Sequence, residues 1–265
     1  MKELIHAIQK ALSQMTTTEL WELLKIDSVR FQVSKDRLSN SILKGELKTL
    51  ETERKDSVDN TIQHNKDMLI NNFQIGLDRP IYILGPLLGM PDISLAKSRL
   101  RVLIIGPRSE QEIFLYASYG FHMKSIIGLD LISYSEYIQI GDMHSMPFAD
   151  GIFDIVVFSW VLGYSKVPHK AIHEAKRVLI KNGFLCIGES ISMHQKEIST
   201  EKQLDARGFA IGYDNFQPCN ILDLYAILGD TNYDVLFQSE PPRTDYCKQA
   251  IDCRGRNLVA IVRLY

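Results

Sequence analysis

What the chain lacks narrows its class before any motif is read. Only four cysteines occur in 265 residues, none of them in a Cys-x-x-Cys pair, and Cys186 sits inside an apolar strand-like run. That spacing argues against a zinc ribbon and a disulfide framework, and it leads to the expectation of a reducing cytoplasm. Basic residues are not in excess: 30 Lys and Arg stand against 32 Asp and Glu, a formal net charge of −2, so nucleic acid is not expected as a partner. No apolar run reaches the roughly 18 residues of a membrane-spanning helix, and no membrane partner is expected. The opening MKELIHAIQKALSQM is interrupted too often by polar residues for a secretory signal and reads as an amphipathic helix. Repeats and low-complexity tracts are absent. The last shortage is local. VLIIG, residues 102–106, has the form of a buried strand stopping at a nucleotide site, yet Pro107, Arg108 and Ser109 follow where glycines are expected.

What is present is an ordinary globular composition, 45% hydrophobic and 23% charged, in two stretches of different character. Residues 1–98 read as a helical N-terminal region. Leu4, Ile5, Ile8 and Leu12, then Leu20, Trp21 and Leu24, recur at helical spacing, with a threonine of Thr16–Thr18 placed to cap a second helix. Residues 34–72 are polar with sparse leucines and isoleucines, the pattern of helices with solvated faces. RPIYILGPLLGMPD, with Pro80, Pro86 and Pro91, reads as an ordered, folded-over connector.

Residues 99–265 alternate strands and helices. RVLIIG, SIIGLDL, IQIGD, FDIVVFSW and FLCIGES read as strands, with helices in EQEIFLYASYG and PHKAIHEAKRVLI and a turn at Asn182-Gly183. ILDLYAILG reads as a helix closed by Gly229, followed by strands YDVLFQSE and NLVAIVRLY. This order predicts an α/β fold: a Rossmann-like, mostly parallel sheet of seven strands ending in an antiparallel edge pair. In such sheets ligands bind beyond the carboxyl ends of the strands. Gly106, Asp130, Asp142, Ser159-Trp160 and Glu189 all fall there. Asp130 lies one βαβ unit after Gly106, where an acid can accept from ribose hydroxyls, and Asp142 is placed to accept from an adenine amino group with Met143 on the ring.

The run from Ile138 to Ser190 resembles the core of the class I S-adenosylmethionine-dependent methyltransferases, in their small-molecule branch. That family has G-D-x-x-x-[LM]-P-F, then D-x-x-F-D, and later R-V-L-K-P-G-G. Here stand Gly141-Asp142, Met146-Pro147-Phe148, Asp150-Gly151-Ile152-Phe153-Asp154, Val161-Leu162, Arg177-Val178-Leu179 and Lys181-Asn182-Gly183. The resemblance implies S-adenosylmethionine as cofactor and S-adenosylhomocysteine as product. Carried over, it implies contacts from Gly106, Pro107, Arg108, Glu112, Asp130, Leu131, Asp142, Met143, Ser159 and Trp160. The departure is the first loop, D-[LIV]-G-x-G-x-G in the family, of which only Gly106 survives. Two readings fit: a degenerate domain without cofactor, or side chains in place of glycine backbone. In the second, Arg108 forks onto the methionine carboxylate and Glu110 or Glu112 meets the amino group. Retention of Asp130 and Asp142 favours the second.

The expected activity is methyl transfer to a small-molecule acceptor, most simply at oxygen, on a sugar or nucleotide-linked polysaccharide precursor or a secondary metabolite. His144, Glu189 and His194 are the candidate bases, and Tyr164 stands one turn beyond Trp160 at the acceptor rim. Local structural roles compete for each of them. No metal site is expected, because His169 and His173 lack a third ligand. Arg243, Arg254 and Arg256 read as scattered surface arginines, with a phosphate grip as the alternative. The N-terminal helices of residues 1–98 are expected to form a cap that selects the acceptor and excludes water, or the surface of a homodimer. The rival readings are a catalytically silent methyltransferase-like binding subunit and a nicotinamide-dependent oxidoreductase, the latter disfavoured by the missing G-x-G-x-x-G.

Overall fold

The computed structural model describes residues 7, 10–51, 58–71, 79–191, 216, 218–240 and 257–265. His194, Arg243, Arg254 and Arg256 lie outside them, as does most of the first amphipathic stretch. In chain order the described helices are α1 (Thr17–Leu23), α2 (Asp27–Leu43), α3 (Val58–Ile70), α4 (Arg79–Gly89), α5 (Pro91–Ala96), α6 (Glu110–Ser118), α7 (Pro168–Val178) and α8 (Ile221–Ala226). The strands are β1 (Lys48–Thr49), β2 (Val102–Ile105), β3 (Ile126–Asp130), β4 (Ile132–Ser133), β5 (Ile138–Ile140), β6 (Phe153–Ser159), β7 (Leu179–Ser190), β8 (Tyr233–Ser239) and β9 (Asn257–Leu264).

Seven strands form one sheet in the order β5-β3-β2-β6-β7-β9-β8. β5, β3, β2, β6 and β7 pair in parallel, while β9 pairs antiparallel with both β7 and β8. The chain leaves β2 in one direction for β3 and β5 and later crosses back to β6. The β2/β6 boundary is therefore the switch point, where strand ends part and a ligand can enter.

All four residues of β2 are buried, because helices cover both faces of the sheet. Leu103 and Ile105 join a cluster with Ala171, Ile172 and Ala175 of α7 and Leu224 of α8. Val102 and Ile104 point the other way, into Ile83, Leu84 and Leu87 of α4 and Ile113 and Tyr116 of α6. The segment expected as a folded-over connector is thus a helix inside the sheet's own core. Pro86 is tolerated within α4, and Ile83, Leu84 and Leu87 are fully buried. The apolar gain outweighs the lost backbone hydrogen bond.

The earlier helices dock on the β3 end. Leu38 of α2 and Ile62 and Leu69 of α3 form a third cluster with Ile132 and Tyr134. An ion pair reinforces that contact. Arg37 of α2 donates through Nε and one amino nitrogen to Glu110, at 2.7 and 2.9 Å, and Glu110 is fully buried. Thr16 caps α1 in a reciprocal box with Glu19, as the threonine cluster suggested.

Gly188 of β7 shows how tightly the sheet is closed. A Cβ there would meet the Trp160 ring at 2.7 Å and Ile83 at 3.0 Å. Gly188→Ala is expected to cost about 1–3 kcal/mol through overpacking, read as a lower urea midpoint at unchanged slope. An unchanged midpoint would mean that the Trp160 ring can shift freely.

Candidate functional site

The loop between β2 and α6 holds two residues at positive φ, only one of them glycine. Gly106 has φ 71°, and a Cβ on it would strike Val161 Cγ2 at 2.6 Å. Two residues on, where the family places its second glycine, Arg108 holds φ 53°. Such a conformation costs a non-glycine residue roughly 1–3 kcal/mol. It aims the Arg108 backbone N–H at Asp130 Oδ2, 2.9 Å away. Pro107 is buried beside β3, where a Cβ on Gly128 would meet its ring at 2.7 Å. Glu110, at the third glycine position, is held by Arg37, by the hydroxyl of Ser135 at 2.5 Å, and by its own N–H donating to Tyr134 Oη.

Asp130 ends β3 and is 5% exposed. Burial raises its pKa, opposed by hydrogen bonds from the backbone and by the charge of Arg108. Besides Arg108 N–H, its Oδ1 accepts from Ile132 N–H at 3.3 Å and from Asn65 Nδ2 at 3.2 Å. Asn65, on α3, also accepts from Arg108 Nε at 3.1 Å. It is a site residue that the sequence did not disclose, for it lies in a polar helix 65 residues before its partner. Leu131 follows, its carbonyl accepting from Leu50 N–H.

Glu112 faces the switch point from the first turn of α6. Its Oε1 is buried with no hydrogen-bond partner among the described residues, while Ser159 at the end of β6 hydrogen-bonds to the carboxyl. Burial pushes its pKa up to about 7. The Tyr116 hydroxyl, one turn on, is also buried and unpartnered.

Asp142, Met143 and His144 form the neighbouring corner, next to Asp130 because Gly141 N–H donates to the Asp130 carbonyl at 3.0 Å. Asp142 Oδ1 accepts from His144 N–H and lies 2.6 Å from His144 Nδ1. His144 Nε2 is 2.7 Å from Ser165 Oγ. That hydroxyl also accepts from Val167 N–H. Asp142 can only accept, so Nδ1 carries a proton and donates it to Asp142, and Nε2 of the neutral ring accepts from Ser165. Met143 is half-buried against the core.

Beyond β6, Trp160 adopts φ 55° and is buried, its Nε1 donating to Asn257 at 2.9 Å under the Arg79 guanidinium. Glu189 is buried and accepts from Gly163 and Ser190 N–H, both at 3.0 Å. Burial raises its pKa against those bonds. Tyr164 faces the His64 ring of α3, centroids 6.1 Å apart. His169 and His173 are exposed on α7, and no group of three metal-ligating side chains occurs among the described residues.

The buried Glu112 has a pH consequence. Its folded pKa lies above the ordinary 4.5 of a glutamate, so the neutral acid is favoured on folding, and stability falls as pH rises from about 4.5 through about 7. Glu112→Gln removes that penalty. Its melting temperature should exceed the wild type's by a margin that grows between pH 5 and pH 8. A margin independent of pH would mean that Glu112 is not ionising in this range.

These residues fit the expected cofactor: an acid at the strand end with a guanidinium near it, and an orphaned carboxyl oxygen at the switch point. A methyltransferase-domain family model matches residues 107–187, from the loop through β7. No curated protein matches the chain. Among solved structures, the N-methyltransferase NodS from Bradyrhizobium japonicum, solved with S-adenosylhomocysteine, is 18% identical with TM-score 0.50, over 78% of this chain and 99% of its own. A chain of the complex between the Haloferax volcanii Trm112 methyltransferase activator and its methyltransferase is 14% identical with TM-score 0.51, over 78% and 96%. Those two likenesses establish the fold. No helix among the described residues is long and apolar enough to cross a membrane. Residues 107–187 thus match a methyltransferase domain, carried on the seven-stranded sheet described above.

Proposed function

We propose that this enzyme methylates a small molecule at oxygen, with the helices up to Ile70 acting as a cap over cofactor and acceptor. The observation that carries the reading is the course of α3 across the carboxyl end of the sheet, where Asn65 touches both Arg108 and Asp130. A helix seated on that edge suits a compact acceptor better than a folded macromolecule.

When bound, the cofactor supplies a methyl group made electrophilic by its sulfonium. In this reading Asp130 and Leu131 take the ribose, and Asp142 and Met143 the adenine. Gly106 and Pro107 line the loop, and Arg108 takes the carboxylate. Glu112 and Ser159 meet the amino group, while Trp160 backs the strand end. The remaining work is alignment of the acceptor and removal of its proton. His144 is the best-oriented base: Asp142 holds Nδ1–H and leaves Nε2 as an acceptor, now engaged by Ser165. An acceptor hydroxyl in the place of the Ser165 hydroxyl would hand its proton to Nε2. Glu189 holds the Gly163 loop, and Tyr164 shapes the acceptor side. His194 is the second base candidate.

Incubation of a metabolite extract with enzyme and methyl-labelled cofactor tests the reading. Label should enter a small-molecule fraction, on oxygen by mass spectrometry and NMR. Label confined to protein or RNA, or on nitrogen, would overturn it. The Arg108 role has its own check by calorimetry. Arg108→Lys should weaken S-adenosylhomocysteine, and Arg108→Ala should weaken it further by about 1.5–3 kcal/mol. Methylthioadenosine, lacking the amino-acid tail, should bind all three proteins alike. Equal losses for both ligands would make Arg108 a loop-shaping residue only.

A further inference from the structure

Asp130 has more donors than a ribose-binding acid can keep. An ionised carboxylate offers about four lone-pair sites. In the structure the backbone N–H groups of Arg108, Leu131 and Ile132 and the side chain of Asn65 all face it. The three backbone donors belong to the loop and strand end that build the site. Asn65 alone comes from a separate element, α3, and it is 7% exposed. A ribose hydroxyl can reach Asp130 only if one donor withdraws, and Asn65 is the one that can leave without dismantling the sheet. The same amide accepts from Arg108 Nε, so it occupies the second group assigned to the cofactor as well.

We propose that Asn65 is a latch exchanged for the cofactor: ribose hydroxyls displace its amide from Asp130, Arg108 is released for the cofactor's tail, and α3 lifts from the sheet edge. Asn65 is a positioning residue in this scheme, acting through Asp130 and Arg108. The rest of α3's seat is modest: Ile62 and Leu69 are its buried apolar anchors. The His64 ring also meets Tyr164, while Asn71, just after the helix, bonds back to Asp67. Loss of the Asn65 contacts therefore removes the hydrogen bonds that tie α3 to Asp130 and Arg108. The latch explains why a polar helix with few apolar residues lies at this edge: a helix anchored by a long apolar face would not lift. The inference rests on the cofactor reading above and makes a separate claim, that binding loosens α3 instead of tightening it.

Hydrogen exchange of α3 in the full-length wild-type protein provides the test, with S-adenosylhomocysteine, adenosine and 2′,3′-dideoxyadenosine as probes. The first two should raise exchange in peptides covering residues 58–70, and the dideoxy compound should leave it unchanged. In parallel, Asn65→Ala should bind adenosine about two- to tenfold more tightly than wild type, the yield of one removed competing hydrogen bond. Dideoxyadenosine should bind both proteins equally. Slower or unchanged exchange with bound adenosine would overturn the latch while leaving the cofactor reading intact. An equal response to the dideoxy probe would overturn it too, since the trigger would not be the ribose. Failure of S-adenosylhomocysteine to bind at all, by calorimetry, would remove the cofactor reading and the latch with it. If Asn65→Ala does not fold, the wild-type exchange data decide alone.

Discussion

Burying an unpaired carboxylate costs several kcal/mol, a cost lowered only when donors surround it, and at Asp130 they come from three segments of the chain. The loop after β2 contributes Arg108 N–H, the turn after β3 contributes its own backbone, and α3 contributes Asn65. Much of the surrounding geometry follows from this demand. Arg108 bears a left-handed backbone, and in that conformation its N–H points to the acid. The N-terminal helices sit where they do partly because a second buried carboxylate, Glu110, needs Arg37. The two acids thus tie the helical region to the sheet by charge, where its apolar surface is sparse.

The first loop takes its conformation from one glycine and from the side-chain and backbone partners of its other residues. Glycine is favoured where φ is positive or where a ligand approaches closely. Gly106 is retained where both φ and the Val161 side chain demand it. At 108 only φ makes the demand, and the hydrogen bond to Asp130 offsets the strain of placing arginine there. At 110 the residue has become the start of α6, and a glutamate with a dedicated partner occupies it. The replacement brings a guanidinium to the cofactor end of the sheet, chemistry that the family's glycine cannot supply.

A second polar chain, from Asp142 through His144 to Ser165, joins the loops after β5 and β6. It fixes the imidazole tautomer and ties two strand ends that have no direct pairing. Glu189 ties β7 to the Gly163 loop by accepting backbone N–H groups. The carboxyl edge of the sheet is therefore stitched by side chains, and for the buried Glu189 and Ser165 losing a partner would cost more than the bond itself contributes.

The order of strands and helices from Arg101 onward was legible because hydrophobic period and glycine punctuation are local signals. The motifs from Gly141 to Gly183 were legible for the same reason, and they placed Asp130 and Asp142 at strand ends correctly. The RPIYILGPLLGMPD segment was harder, since three prolines outvote an apolar helix until the sheet supplies the burial that α4 needs. Asn65, Arg37 and Ser165 had no local signature at all. Each is an ordinary polar residue whose role comes from a partner 65, 73 or 21 positions away. By itself the sequence determined the sheet and the acids at the strand ends, because these follow from near-neighbour patterns, while the cofactor class is what its resemblance to a known family implies. Only the tertiary structure decided what those acids touch, because a buried charge takes its donors from whatever segments folding brings beside it.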